Sequence, residues 1–235
     1  MTNTMPNQAK VMIGMVAAAS LCPLAFGVIN SQALAWSHLG VLMFAAALTS
    51  RLKVKLPGMT STMSANLPVI LLAITQLGLT GGLLVTVTAA IAQSYASATK
   101  TKAVQFLFNT CTLMNACGMA YAAYHLCTAY GTAVSLAAAS TVYFLANTLP
   151  VAGIIGLTEG KNPFATWHKV FLWSFPNYVI GAGLAAFASL FTTVGLATMA
   201  TLVVVLFGVF RSYKMYVGLV EEAAAPRAVA MAAGR

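Results

Sequence analysis

Residues 143–181 read YFLANTLPVAGIIGLTEGKNPFATWHKVFLWSFPNYVIG and contain the pattern that decides the fold. An apolar run holding Asn147 and Pro150 is followed by a short polar loop with Glu159. An aromatic and basic segment comes next, and a second apolar run starts near Pro176. Two long apolar runs joined by a short charged loop predict a pair of membrane-crossing helices.

The composition of the whole chain extends this prediction. Of 235 residues, 60% are hydrophobic and 6% are charged, whereas a soluble domain carries about 25% charged residues. So few charges cannot cover a water-facing surface, so lipid must be the solvent for much of the chain. The net charge of +9 does not indicate nucleic-acid binding, because the basic residues stand in short clusters between apolar runs.

The pattern predicts an all-α fold, a polytopic transmembrane bundle of about eight spans. The apolar runs are 11–29, 33–49, 68–79, 83–96, 103–130, 132–157, 175–192 and 194–210. We divide the chain into a cytoplasmic N-terminal segment (1–10), a transmembrane domain (11–220) and a cytoplasmic tail (221–235) that we expect to be disordered. Small residues at Gly14, Ala18 and Cys22 form a face on the first helix suited to close helix contact.

The third and fourth runs are short, at about 21 Å of helix each, against a hydrocarbon core of about 30 Å. Either both extend into their flanks, from Met59 and to Lys100, or they form a hairpin that only partly crosses. We favour extension.

The basic residues predict the orientation of the helices. Every Lys and Arg lies in the N-terminal segment, in the connections 51–55, 98–102 and 158–169, or after residue 210. The alternate connections hold none. The positive-inside rule therefore places both termini in the cytoplasm of a multi-pass protein of the bacterial inner membrane.

Amide side chains within or beside the spans are the candidate ligand-binding residues. They are Asn66, Gln93, Asn109, Asn115, Asn147 and Asn177. Polar groups are costly in lipid and usually face the interior of a bundle, where these would line a pocket for a small polar ligand. The alternative is that they form hydrogen bonds between helices and only fix the packing.

The residues do not predict an enzyme. The chain has no Asp, and Glu159 has no second carboxylate near it in sequence, which excludes paired-carboxylate chemistry. We expect Glu159 to cap a helix or to form an ion pair. No nucleotide-binding or hydrolase motif occurs, and the four Cys show no metal-ligand spacing. We therefore predict no catalytic residue, no cofactor and no metal site.

Several phrases carry a resemblance to a known family. RLKVKLPG with a Thr/Ser run after it, QFLFN, the stretch 143–181 and RSYKMYVGLVEE together resemble the eight-helix membrane-associated sensor region that precedes GGDEF or HD-GYP output domains in bacterial cyclic-di-GMP signalling proteins. The resemblance covers roughly residues 35–222 and implies a sensor function. Neither output signature occurs in this chain, so the family's enzymatic activities do not carry over, and no site residue does.

Residues 56–97 are also similar to the substrate-binding components of energy-coupling vitamin transporters, through a Pro-Gly turn, a Thr/Ser run and an apolar hairpin with Gly-Gly at its tip.

We expect a stand-alone, non-enzymatic sensor-like domain that binds a small or lipophilic ligand, or a membrane or cytoplasmic protein partner, within the bilayer. A substrate-binding transport component and a structural subunit of a membrane complex remain alternatives.

Overall fold

The computed structural model describes residues 5–31, 33–51, 53–55, 62–95, 101–190, 207, 208 and 211. Seven α-helices and one two-stranded antiparallel ladder form this part of the chain, so the predicted helical class is confirmed. The elements are α1 (Asn7–Ile29), α2 (Trp36–Thr49), β1 (Lys53–Lys55), β2 (Thr62–Ser64), α3 (Leu67–Tyr95), α4 (Ala103–Leu126), α5 (Thr132–Glu159), α6 (Pro163–Thr166) and α7 (Phe175–Ser189). The predicted tail 221–235, and the predicted span 194–210 apart from two residues, lie outside the described residues.

By length and composition α1, α3 and α5 could each cross a membrane, although the length of α3 includes a sharp turn described below, and α2 is a shorter apolar helix. This confirms the predicted membrane-protein class. Helix α4 packs against α5 and α1, and α3 packs against α2, α4 and α7. Many side chains on the outer surfaces are large and hydrophobic, for example Ile29, Phe44 and Phe187, as expected where lipid rather than water is the neighbour.

Helix α3 consists of two helical segments that meet at a sharp turn. Gly78 has φ 70° and ψ −166°, far from helical values. A Cβ placed on Gly82 would lie 3.7 Å from the Cα of Ile74, although residues eight apart in one straight helix are about 12 Å apart. The chain therefore doubles back at Gly78, and we call residues 67–77 α3a and residues 79–95 α3b.

The structure corrects one part of the prediction for the two short spans, and the other part, the extension to Lys100, lies outside the described residues. The favoured extension back to Met59 is wrong, because Thr62–Ser64 pair as a strand with Lys53–Lys55. Segment α3a is only about 16 Å long, and Val69 to Ala73 are completely buried. The hairpin thus contains a short helix that is surrounded by protein on every side.

Residues 163–189 follow one nearly continuous helical path instead of a loop and a span. Asn162 Oδ1 accepts hydrogen bonds from the backbone N–H groups of Phe164 and Ala165 and so starts the path. A π-helix (Trp167–Phe171) and a 3₁₀ turn (Leu172–Ser174) then lead into α7. Pro176 explains the irregularity before α7, because its nitrogen cannot donate and its ring clashes with the carbonyl four residues earlier.

Helix α1 contacts the bundle through residues other than the predicted small ones. Gly14, Ala18 and Cys22 are exposed on the side away from the bundle. On the inner side, the Pro23 ring packs into the space left by Gly118 of α4, where an added Cβ would lie 2.6 Å from Pro23 Cβ.

Candidate functional site

One face of α5 carries the polar groups of the candidate site. Ser140, Tyr143, Phe144, Asn147 and Thr148 are spaced by three, four, seven and eight residues from the first, which places them on a single face of a helix. All are buried or half-buried. This face packs against α7 and the π-helix, so α5 presents its polar groups to neighbouring helices instead of to lipid.

Hydrogen bonds connect that face to α7 and to the π-helix. The Asn147 Nδ2–H donates to the Tyr178 hydroxyl at 3.1 Å, and the Ser140 hydroxyl donates to the Tyr178 carbonyl at 2.8 Å. The indole N–H of Trp167 donates to the Thr148 hydroxyl at 2.9 Å. A shift of α7 along α5 would break these bonds, so they fix how the two helices are aligned.

Two further helices bring hydroxyl and thiol groups to the same place. The Tyr143 ring centroid lies 6.4 Å from that of Tyr178 on α7, and Cys117 of α4 is near enough to Tyr143 for the two groups to interact electrostatically. Thr86 of α3b lies beside the Cys117 thiol, which is a weak hydrogen-bond partner. The five residues Thr86, Cys117, Tyr143, Asn147 and Tyr178, from four helices, are called the polar cluster below.

Two hydroxyl groups of the polar cluster make no hydrogen bond of normal geometry with any described residue. These are the side-chain oxygens of Thr86 and Tyr143, in residues that are 0% and 2% exposed. A buried polar group without a partner costs about 1–3 kcal/mol, and such groups usually mark a bound water, a ligand or a functional strain. The cluster therefore offers free hydrogen-bonding capacity inside an apolar bundle.

The chemistry of the cluster suits binding better than catalysis. It contains hydroxyl, thiol and amide groups but no carboxylate, imidazole or basic group. Phe144 closes one side, with its ring 4.9 Å from the Tyr178 ring, and packs against Phe175 at 5.1 Å. Groups of this kind recognise small uncharged molecules through hydrogen bonds and aromatic contacts.

The structure distributes the six predicted ligand-binding residues over several places. Asn147 belongs to the polar cluster, and Asn177 is half-buried one residue before Tyr178. Asn66 is buried at the start of α3a, and Gln93 is half-buried near the end of α3b. That the six line one pocket stays a prediction.

The remaining two candidates lie on α4. Asn109 is exposed on the outer surface. The Asn115 amide donates to the Val16 carbonyl of α1 at 3.0 Å, which is the interhelical packing bond that the sequence offered as the alternative.

Sequence reasoning missed Thr86, Cys117, Tyr143 and Tyr178 as members of a site. Tyrosines and threonines are common in membrane helices, and nothing in their composition separates them from packing residues. The available signal was the spacing on α5, where Ser140, Tyr143, Asn147 and Thr148 recur on one face of an otherwise apolar helix.

The polar connection after α5 has a structural explanation. Glu159 ends α5, and its carboxylate lies 2.6 Å from Lys161 Nζ in an exposed ion pair, as expected. Gly160 turns the chain with φ 66°. Among the residues that the structure describes, no group of three or more His, Cys, Asp or Glu side chains is placed to hold a metal ion.

Comparison of the chain with protein families, with curated proteins and with solved structures gives no significant match. The resemblance to sensor regions of cyclic-di-GMP signalling proteins therefore stays a prediction. The function has to be argued from the geometry of the bundle and its polar cluster.

Proposed function

We propose that this chain is a non-enzymatic, multi-pass protein of the bacterial inner membrane, with about eight spans and both termini in the cytoplasm. We propose further that its helix bundle is a sensor-like domain that binds a small, uncharged ligand. The observation that carries this proposal is the polar cluster, in which the Tyr143 hydroxyl is buried without a partner and the Thr86 hydroxyl has only the weak Cys117 thiol beside it. A ligand that bonded to them would recover the free energy lost by their burial.

The ligand chemistry follows from the groups present. A hydroxyl, a phenol and an amide favour a molecule with both a donor and an acceptor. The aromatic contacts around Phe144 favour an apolar or planar body. A charged ligand is disfavoured, because the cluster holds no opposite charge to offset its desolvation.

Binding at this place would act on the alignment of α5 and α7. The Tyr178 hydroxyl accepts the Asn147 hydrogen bond, so a ligand that competes for either group weakens one of the bonds that fix the two helices. The ligand then shifts the population between two packings by as much as its affinities for them differ.

The π-helix offers a route from this event to the basic loop. Trp167 packs against Phe144 at 5.9 Å and donates to Thr148, so it contacts the face of α5 that carries the cluster. π-Helical turns occur frequently at functional sites. A movement of Trp167 would be passed to His168 and Lys169, which follow it directly and are exposed.

Native mass spectrometry of protein released gently from membranes tests the proposal. Wild-type protein is expected to carry a retained small molecule, and Asn147→Leu is expected to lose it while still folding. Asn109→Leu is the matched control, because it makes the same change at an exposed position on α4. If no species carries a small molecule, or if Asn147→Leu retains it as fully as wild type, the polar cluster is only a packing feature.

The exposed small residues of α1 favour a second candidate, a subunit that docks on a membrane partner. Gly14, Ala18 and Cys22 form a face that meets no other described helix, and small residues let helices approach closely. Ala18→Trp changes only this outer face. Loss of copurifying subunits in this variant, with the bundle still folded, would support a transport component or a structural subunit over a stand-alone sensor.

A further inference from the structure

Segment α3a begins inside the protein instead of at a surface. Its other end, the turn at Gly78, lies beside the end of α1, where the Thr80 hydroxyl donates to the Gly27 carbonyl at 2.8 Å. If α1 spans the membrane, this turn is near the membrane surface. The start of α3a lies about 16 Å from this turn along the helix, next to the basic segment that follows α2.

The start of a helix is a place of excess hydrogen-bond donors and partial positive charge. In α3a the first helical bond runs from the Ile70 N–H to the Asn66 carbonyl at 3.2 Å. The N–H groups of Leu67 and Val69 precede it, so neither has an acceptor within the helix, and Pro68 has no N–H.

Side chains at the same place carry polar atoms without partners. Asn66 directly precedes α3a and is 6% exposed, and its Nδ2 donor has no hydrogen-bond partner. Ser50, at the end of α2, is 0% exposed, and its hydroxyl also has none. The ladder pairs Lys53, soon after α2, with Ser64, shortly before α3a, and α2 packs against α3. The end of α2 and the start of α3a are thus brought together.

Several carbonyl groups near the end of α2 accept hydrogen bonds from within the chain. The Thr49 hydroxyl donates to the Ala45 carbonyl at 2.9 Å, and the Ser50 N–H donates to the Ala46 carbonyl at 2.9 Å. The Arg51 N–H donates to the Leu48 carbonyl at 3.1 Å. These bonds occupy three carbonyl groups at the end of α2, whereas the Ser50 hydroxyl and the Asn66 Nδ2 donor have no partner.

We infer that the junction of Ser50, Asn66 and the first turn of α3a is an anion-binding site for a phosphate group. The leftover donors match the oxygens of such a group, and the partial positive charge of the helix start favours its negative charge. Arg51, Lys53 and Lys55 add three positive charges to the adjoining segment. The phosphate belongs either to a free anion or to the headgroup of an anionic lipid. The site is separate from the polar cluster.

Thermal unfolding of the full chain in a non-ionic detergent tests this inference with two probes. One is inorganic phosphate and the other is short-chain phosphatidylglycerol, each compared with chloride at the same ionic strength. A saturable rise in Tm with phosphate identifies a free-anion site, and a rise with the phospholipid alone identifies a headgroup site. Both results support the inference when the variants below respond as expected.

Ser50→Ala is the first variant, because it removes one donor without adding volume. Deleting an unpaired buried hydroxyl should leave the ligand-free protein as stable as wild type or more so, while the apparent Kd for the active probe rises about tenfold. Asn66→Asp replaces the amide donor by a carboxylate and should abolish the response. Thr112→Val is the matched control, because Thr112 also carries a fully buried unpaired hydroxyl but lies on α4, and it should respond as wild type does.

The inference is overturned if neither probe raises Tm above the chloride value. It is also overturned if Ser50→Ala and Asn66→Asp respond as wild type does. Asn147→Leu should show the same rise in Tm as wild type, because Asn147 belongs to the polar cluster. Ser50→Ala and Asn66→Asp therefore test the anion site, and Asn147→Leu tests the polar cluster.

Discussion

Replacement of Gly118 by Ala tests a close helix–helix contact between α1 and α4. The new methyl group would lie 2.6 Å from Pro23 Cβ and 3.2 Å from Pro23 Cγ. Carbon atoms in good contact are about 3.5–4.0 Å apart, so α1 and α4 must separate by roughly 1 Å. The neighbour cannot turn aside, because it is a rigid ring within a helix.

Two opposing terms set the size of the effect. Gly to Ala in a helix contributes about 1 kcal/mol of stability through propensity, and overpacking a closed contact costs about 1–3 kcal/mol. Gly183→Ala isolates the first term, because an added Cβ there meets nothing within 4 Å. We expect the free energy of unfolding of Gly118→Ala to be about 1–3 kcal/mol lower than that of Gly183→Ala.

The assay is reversible unfolding by SDS in mixed micelles, followed by the circular dichroism of the helices. A cycle with Pro23→Gly separates the contact from other effects, because this change removes the ring and the Cβ that the new methyl would meet. The cost of Gly118→Ala should shrink in that background. The reasoning is refuted if Gly118→Ala is as stable as Gly183→Ala, or if its cost is the same with and without Pro23.

Three further outcomes are expected. Gly78→Ala should lower the free energy of unfolding by at least about 1–3 kcal/mol, because residues other than glycine rarely adopt φ 70° with ψ −166°. Gly40→Ala is the control in the same SDS titration. It should not be destabilised, because there is open space around the added Cβ. Thr148→Val should lower the free energy of unfolding by about 1–3 kcal/mol, because it leaves the Trp167 indole N–H without its acceptor. Thr148→Ser keeps the hydroxyl and should be as stable as wild type. If the Val and Ser variants are equally stable, this hydrogen bond contributes nothing to stability. Glu159→Gln should change the free energy of unfolding by less than about 0.5 kcal/mol, because its ion pair is exposed to solvent, and a larger loss in thermal unfolding would point to a structural role for this carboxylate.

The helix bounds show what local pattern can and cannot predict. The predicted runs 11–29 and 132–157 lie within α1 and α5, because a long apolar stretch in lipid must satisfy its backbone within itself. The hairpin in α3 was not resolved by pattern. An apolar run of about 14 residues has the same composition whether it crosses alone, extends into its flanks or turns back at a glycine.

The sequence by itself determined the class of this protein, a helical membrane protein, because the scarcity of charge and the length of the apolar runs are local and additive properties. It predicted interior positions for Asn147 and for Asn109 alike, and of these two only Asn147 is half-buried. Only the tertiary structure decided that Tyr143, Tyr178, Cys117 and Thr86 meet around it, since four helices distant in sequence must first be packed. It likewise decided that Asn115 serves packing and that Asn109 faces outward. Asn147, Asn115 and Asn109 have the same side chain. Their roles differ because neighbouring helices cover the side of the helix that carries Asn147 or Asn115 and leave the side that carries Asn109 exposed.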